Sequence, residues 1–311
     1  MLHPHRSRLI MPVINERFVQ KSPLRNADII VLDLEDSVPH TRKIEARSYL
    51  LNGIEIASKG GSAVYVRVNN SEDLLWGDIQ ASISPRLTGI YVPKVESAEQ
   101  IEEIDNFLTN LEVQHKLKDG SIQIAVLIET AKGYMNLASI LQSSKRIQSV
   151  SLGAEDFVED LQMKINNSTA EALKNIRMQI CIAARAYNIV PMGLMSSITN
   201  YTDLEEIADS ARLAYEHGFA GNSCVHPSNV EIFNNAFMPN DEEVEEAKQL
   251  VEAFEKAVRE GLAAIKFKGK MIDIPHYEKA KRIHAQYEIY RQYEDMKKEA
   301  RMHYEYQLKG V

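Results

Sequence analysis

IQIAVLIETAKG (122–133) and IQSVSLGAEDF (147–157) are consecutive apolar runs, and each ends on an acid: Glu129 closes the first and Asp156 the second. Near-continuous apolar runs of this length read as strands buried on both faces, the signature of a parallel sheet. Each carboxylate then falls where strand gives way to loop. A carboxylate at such a mouth rarely serves packing, because an unpaired buried charge is costly. Two of them on neighbouring strands can hold one hard divalent cation through oxygen ligands.

Working outward, six more runs have the same character: 8–13, 28–36, 63–69, 89–96, 188–194 and 218–226. Amphipathic stretches such as SAEQIEEIDNFLTNLE and TDLEEIADSARLAYEHG separate them. Eight strands alternating with helices predict a (β/α)8 TIM barrel, which takes roughly 250 residues. A doubly wound open sheet is the competitor, but no GxGxxG follows the first strand. Beyond about residue 230 the strand signal stops. DEEVEEAKQLVEAFEKAVREG (241–261) reads as a helix with an acidic first turn and Gly261 at its C-terminal cap. A short irregular segment and a long charged, Tyr-rich helix follow. The expected organisation is a catalytic barrel over 1–235 and a C-terminal helical extension and lid over 236–311. The final stretch is expected to pack either on another subunit or across its own barrel.

With 44% hydrophobic and 26% charged residues, the 311-residue chain has the composition of a soluble globular protein. A net charge of −8 argues against non-specific nucleic-acid binding. No apolar run approaches a bilayer span, and MLHPHRSRLIMPV lacks the plan of a secretion signal. Two cysteines, Cys181 and Cys224, are too few for a disulfide framework or a thiolate metal site. A cytoplasmic protein without nucleic-acid or membrane partners is expected.

In a barrel of this type the active site lies at the C-terminal ends of the strands. Those ends carry Asp33, Glu35, Asp36, Arg67, Asn69, Lys94, Glu96, Glu129, Glu155, Asp156 and His226. Not all three acids of Asp33, Glu35 and Asp36 can be ligands, so at least one is expected to pair with Arg67 or a backbone amide. Lys94, surrounded by acids, is expected in an ion pair and His226 in a hydrogen bond at the barrel end. Glu129 and Asp156 are the expected Mg2+ ligands, leaving positions for a substrate carboxylate and an adjacent oxygen. Arg67 offers a planar fork to a carboxylate or a developing alkoxide. Backbone N–H groups at Gly153 and Ala154 are expected to hold the other end of that carboxylate. Together these make a site for carbon–carbon cleavage or formation beside a 2-oxo acid.

RSRLIMPV, ERFVQK, ADIIVLDLEDSV, RKIEAR, VYVRVNN, YVPKVES, LIETAKG, SLGAEDF, GFAGNSCVHPSNVEIFNNAF and GKMIDIP occur in this order from about residue 6 to 285. In these segments the chain resembles the citrate lyase β-subunit-like CoA-ester lyases of the HpcH/HpaI aldolase superfamily. The resemblance implies a (β/α)8 barrel, Mg2+, and retro-Claisen or aldol-type cleavage of a 3-hydroxy-3-carboxylate acyl-CoA to acetyl-CoA and a 2-oxo acid. It makes Arg67 the substrate-binding arginine and Glu129 and Asp156 the metal ligands. Arg17, Lys21, Arg42, Lys43 and Arg47 look like its CoA-phosphate contacts. Asp273 of GKMIDIP matches an acid/base carried on a C-terminal lid, often closing over a neighbouring subunit, which implies a homotrimer or a hexamer. From the residues alone Asp273 would be a turn or N-cap residue before Pro275.

Three departures touch the acyl pocket: Val13 where the family often has Gly, no acid in PMGLMSSITNYTD before Asp203, and Gly221-Asn222 where it has Gly-Lys. The expected substrates are citramalyl-CoA or malyl-CoA-like esters ahead of citryl-CoA. A CoA-independent 2-oxo acid aldolase and a non-catalytic subunit that keeps the ligand site are the alternatives.

Overall fold

The computed structural model describes residues 3–164, 166–195 and 203–309. Most of the segment after the seventh strand, where an acid is missing, lies outside them.

Eight strands form one parallel sheet: β1 (Ser7–Pro12), β2 (Ile29–Asp33), β3 (Ala63–Arg67), β4 (Gly89–Val92), β5 (Gln123–Ile128), β6 (Ile147–Leu152), β7 (Val190–Met192) and β8 (Asn222–Cys224). Their order is β7-β6-β5-β4-β3-β2-β1-β8, so every strand but the ends pairs with its sequence neighbours. The ends meet as well. Ala220 N–H donates to Pro191 O at 3.0 Å, and Gly193 N–H to Gly221 O at 2.8 Å, joining β7 to the approach to β8. The sheet is thus a nearly closed (β/α)8 barrel.

Period-two alternation divides each strand between two cores. Ile29, Val31, Ala63, Tyr65, Tyr91, Ala125 and Leu127 fill the barrel interior. Ile30, Leu32, Val64, Val66, Ile90, Val92, Ile124 and Val126 face outward into the helix layer. Burying each such side chain stabilises by roughly 1.5–3 kcal/mol. The helix Ala98–Gln114 supplies one matching stripe, burying Ile101, Ile104, Leu108 and Leu111. Its start is fixed by Ser97, whose hydroxyl accepts from Gln100 N–H.

The chain divides into two compact units: His5–Phe237 with Lys297–Val311, and Met1–Pro4 with Met238–Met296. In the smaller unit, Asn240 and Glu243 form a reciprocal capping box at the start of helix Asp241–Arg259. Gly261 follows that helix at φ +80°, as its cap requires. The expectation that strands stop near residue 230 is corrected here: β9 (Ile265–Phe267) and β10 (Lys270–Ile272) form an antiparallel hairpin. Their three-residue strands, split by Lys268-Gly269, are too short to alternate visibly in sequence. Ile272 packs with Leu250, Phe254 and Ala280.

The helix Ile274–Leu308 ends on the barrel unit. Lys297 is fully buried there, its Nζ 2.8 Å from Asp28 Oδ1 and 2.8 Å from Asn26 O. Asp28 also takes Arg6 Nε at 2.8 Å and Nη2 at 2.7 Å. Gly61, at φ +79°, lets the helix close in; a Cβ there would sit 3.3 Å from Lys297 Cα. Of the two expected placements for the final stretch, the chain packs it against its own barrel.

Candidate active site

The strand ends bring the acids to one rim around a single fixed arginine. Asp33, fully buried at the end of β2, accepts from Glu35 N–H at 2.9 Å and from the Ser37 amide and hydroxyl. It also takes Arg67 bidentately, through Nε at 2.6 Å and Nη2 at 2.8 Å. Burial alone would raise its pKa, but Arg67 and Ser37 hold it below the usual carboxylate range. With its lone pairs committed, Asp33 is the residue that orients Arg67. The remaining Arg67 nitrogen, Nη1, stands 2.9 Å from Glu35 Oε2 and 3.2 Å from Asp36 Oδ2.

Glu129 ends β5 almost buried, with Oε2 accepting from Lys94 N–H at 3.0 Å. Lys94 follows Pro93 in the left-handed region, at φ +49°, a conformation that is uncommon for a residue with a side chain. Gly153 is required for space. A Cβ there would lie 2.2 Å from Glu129 Oε1, so any other residue would push the carboxylate away. The Gly153 N–H itself donates to Ile128 O at 2.9 Å. Ala154, opening the helix Ala154–Asp160, lines the cavity beside it.

Burial, then the nearby Asp156 and Glu35, push the Glu129 carboxyl up to about 8. Glu35 rises to about 7, through burial and then Asp36 and Asp33, against the pull of Arg67. Glu35 Oε2 is buried without an aligned hydrogen bond. The Lys94 ammonium sits loosely among the acids, 3.8 Å from Asp156 Oδ2 and 3.9 Å from Glu35 Oε1. Burial would lower its pKa, but Asp156, Glu35 and Glu129 raise it. The rim therefore carries more negative charge than Arg67 and Lys94 neutralise. Among the described residues no group of three His, Cys, Asp or Glu side chains is arranged as a complete metal-ligand set. Glu129 and Asp156 are a pair of oxygen donors with room beside them. The cavity they border has a volume of about 480 Å³ and includes Arg67, Tyr91, Ser151 and Ser223 in its lining.

The five basic residues lie in different settings. Arg17 and Lys21 are exposed on the helix Glu16–Lys21 that follows β1. Arg42 pairs with Glu45 at 2.6 Å. Lys43 Nζ donates to Glu35 O at 2.9 Å, Leu34 O at 3.2 Å and Asn69 Oδ1. Arg47 binds Asp78 at 2.7 Å and Leu74 O at 2.9 Å. Asp273, in the smaller unit, occupies the N-cap position of the last helix, with Tyr277 N–H donating to its carbonyl. It is half exposed and its Oδ1 is 2.5 Å from His276 Nδ1. That hydrogen bond holds the carboxyl below its ordinary range, not above it as a desolvated base would be. His226 bonds Ser228 Oγ through Nδ1 at 2.6 Å.

Arg177 also lines the cavity, and it comes from the helix Asn167–Ala186, not from a strand end. It is 7% exposed, and Nη1 donates to Met195 O at 3.3 Å. Burial lowers its pKa, opposed by Glu155. The signal was present: it shares an apolar stripe with Leu173, Ile180 and Ala184, all buried. A lone cation on such a stripe has to reach something polar.

The profile of the HpcH/HpaI aldolase/citrate lyase family matches residues 6–227. The citrate lyase subunit beta of Haemophilus influenzae is 32% identical over 278 residues, covering 89% of this chain and 94% of the relative. The L-malyl-CoA/beta-methylmalyl-CoA lyase of Cereibacter sphaeroides is 28% identical over 306 residues, covering 92% and 95%. Among solved structures, a citrate lyase beta subunit of Mycobacterium tuberculosis, complexed with oxaloacetate and magnesium, matches with a TM-score of 0.61 and 25% identity. It covers 76% of this chain and 98% of that one.

Proposed function

The chain belongs to the HpcH/HpaI aldolase/citrate lyase family, and we propose that it is a Mg2+-dependent carbon–carbon lyase acting on CoA esters. The substrate class is a 3-hydroxy-3-carboxylate acyl-CoA, and the products are acetyl-CoA and a 2-oxo acid. The observation that carries this proposal is the under-neutralised acid rim around Glu129 and Asp156 with an orientated arginine beside it. Relatives named for citrate and malyl-CoA cleavage support the reaction class.

The donor set fits a hard cation: burial, then the nearby Asp156 and Glu35, make a lone charge on Glu129 costly, which a bound cation would relieve, and Glu35 has a buried oxygen without an aligned partner. Glu129 and Asp156 would hold Mg2+, which when bound withdraws electron density from the oxygens of the reacting carbon. Arg67 binds the substrate carboxylate or the C3 oxygen, its plane fixed by Asp33. Ala154, at the start of its helix, presents a backbone N–H towards the same carboxylate. Gly153 keeps the Glu129 carboxylate in place by having no side chain.

The hydroxyl proton leaves as the C2–C3 bond breaks, and the bonding pair passes into the thioester enolate. Protonation of that carbon then gives the acetyl methyl, so the reaction consumes and releases no net proton. Asp273, hydrogen-bonded to His276 Nδ1, is assigned this last transfer. As the family resemblance implies, Asp273 is expected to serve from a neighbouring subunit of a homotrimer or hexamer, which light scattering would measure. Arg17 and Lys21, exposed beside the mouth, are the freest of the five basic residues to meet CoA phosphates.

The internal contacts of Lys43 and Arg47 favour one other possibility, a 2-oxo acid aldolase that does not use CoA. The test is acetyl-CoA release from malyl-, citramalyl- and citryl-CoA with Mg2+, in the wild type and in Arg67→Ala and Arg17→Ala/Lys21→Ala. The lyase assignment requires turnover that Arg67→Ala abolishes and a raised KM in the double variant. Turnover of free hydroxy acids alone would favour the aldolase.

A further inference from the structure

Below the acid rim, the barrel interior contains a second charged group that the proposed reaction does not use. Arg8, on β1, is 1% exposed and points into the barrel, where it meets Ser149 and Tyr91. Guanidinium groups buried to this degree are ordinarily matched by a carboxylate, because desolvating an unmatched cation costs several kcal/mol. Among the described residues Arg8 has no acid partner. Its Nη2 donates to Ser149 Oγ at 2.6 Å, its plane lies over the Tyr91 ring at 4.6 Å, and its Nε is buried with no hydrogen-bond partner.

Ser223 is its register partner on β8, so the two side chains leave the sheet on the same face. Ser223 Oγ is buried and also has no hydrogen-bond partner, and this serine lines the cavity. Tyr91 and Ser151, bonded to each other at 2.9 Å, line it too. The cavity thus runs from an acid rim to a floor of hydroxyls backed by an unmatched cation. Two unpartnered polar atoms on adjacent strands are a costly arrangement for packing alone.

Resting on the lyase assignment above, we propose that Arg8 and Ser223 form an anion-recognising floor that selects acyl-CoA substrates whose C3 substituent ends in a carboxylate. The orientation follows from chemistry. CoA is too large to enter a cavity of about 480 Å³, so the thioester faces the mouth. The reacting carbon sits at the rim with Glu129, Asp156 and Arg67. The C3 substituent, which becomes the side chain of the 2-oxo acid, is then the part directed down the barrel. A carboxylate there meets Ser223 Oγ, with its register partner Arg8 behind the cavity wall in a dry, low-dielectric setting, where the attraction of unlike charges is strongest. A hydrogen or methyl substituent leaves Ser223 Oγ unpaired and the Arg8 charge unmatched. This favours products with a second carboxylate over pyruvate or glyoxylate and reverses the substrate order expected from sequence.

The experiment compares oxaloacetate with pyruvate by calorimetry on the full chain in Mg2+, alongside cleavage of citryl-CoA and citramalyl-CoA. The wild type should prefer the dicarboxylate by at least about 10-fold, the range of a charged hydrogen bond. In Arg8→Met that ratio should collapse to within about twofold. In Arg8→Lys part of it should return, and Ser223→Ala, the milder change should Arg8→Met fail to fold, should reduce it about threefold or more. A wild type without preference, or a preference that survives in Arg8→Met and Ser223→Ala, overturns the assignment. If neither acid binds and no ester is cleaved, the lyase assignment fails and takes this one with it. If both are handled without discrimination, only the floor is wrong.

Discussion

Each end of the barrel holds a buried ion cluster, and the two are built on opposite principles. At the end where the strands begin, Asp28 meets two cations, Arg6 and Lys297, all of them almost completely buried. Burial would raise its pKa, but the two cations hold it at about 2. At the end where the strands finish, Glu129 rises to about 8 and Glu35 to about 7, because five carboxylates crowd around Arg67 and Lys94. The first cluster is matched within the chain and fastens the last helix. The second is left short of positive charge, which is the condition a divalent cation relieves. Burial alone does not separate a structural from a functional ion cluster; the balance of charge does.

The largest contrast should appear on removing one carboxylate from each end. Glu129→Gln should reduce turnover on the order of 10³-fold, about 4 kcal/mol in the barrier. Its metal-free melting temperature should hold or rise, since a repelling charge is gone. Asp28→Asn should cost about 3–5 kcal/mol in urea unfolding, because two buried cations lose the carboxylate they share. Equal destabilisation by both changes would break the comparison.

A smaller effect tests the geometry at the rim. Gly153→Ala places a methyl where Glu129 Oε1 lies. It should cost about 1–3 kcal/mol as an overpacked site and weaken Mg2+ binding in a titration. Unchanged Mg2+ affinity would show that Gly153 does not position Glu129. Lys297→Met, which leaves the Arg6–Asp28 pair intact, should cost less than Asp28→Asn, about 1–2 kcal/mol. A cost as large as that of Asp28→Asn would mean that Arg6 alone cannot satisfy Asp28.

The barrel was legible because its strands are near-continuous apolar runs and its helices carry clean apolar stripes, as in Ile101, Ile104, Leu108 and Leu111. The rim was legible because a carboxylate after an apolar run has few other uses. What sequence position could not reveal was pairing. Asp33 and Glu35 are two residues apart, yet one is fully committed to Arg67 and the other is left with an unaligned oxygen. Lys43 and Arg47 look like any solvated basic pair until Asn69 and Asp78 arrive from another part of the chain. Arg8, Arg177 and Lys297 were missed for a shared reason: each is a cation inside an apolar or amphipathic stretch, whose destination only the tertiary fold supplies. The β9–β10 hairpin is too short for alternation to register.

The measurement closest to the central claim is stability against pH with and without Mg2+. Glu129 and Glu35 have pKa values raised above the ordinary carboxylate range of about 4. Their contribution is therefore fully present below about pH 4 and is lost as pH rises through about 7 to 8. Asp28 behaves in the opposite sense, its contribution being lost only as pH falls from about 4 through 2. Metal-free protein should thus lose stability between about pH 5 and 8, by up to about 1.4 kcal/mol per pH unit for each group. Saturating Mg2+ should flatten that slope, and Glu129→Gln should remove most of both the slope and the Mg2+ effect. A metal-free protein whose stability is level across this range and indifferent to Mg2+ would contradict the account.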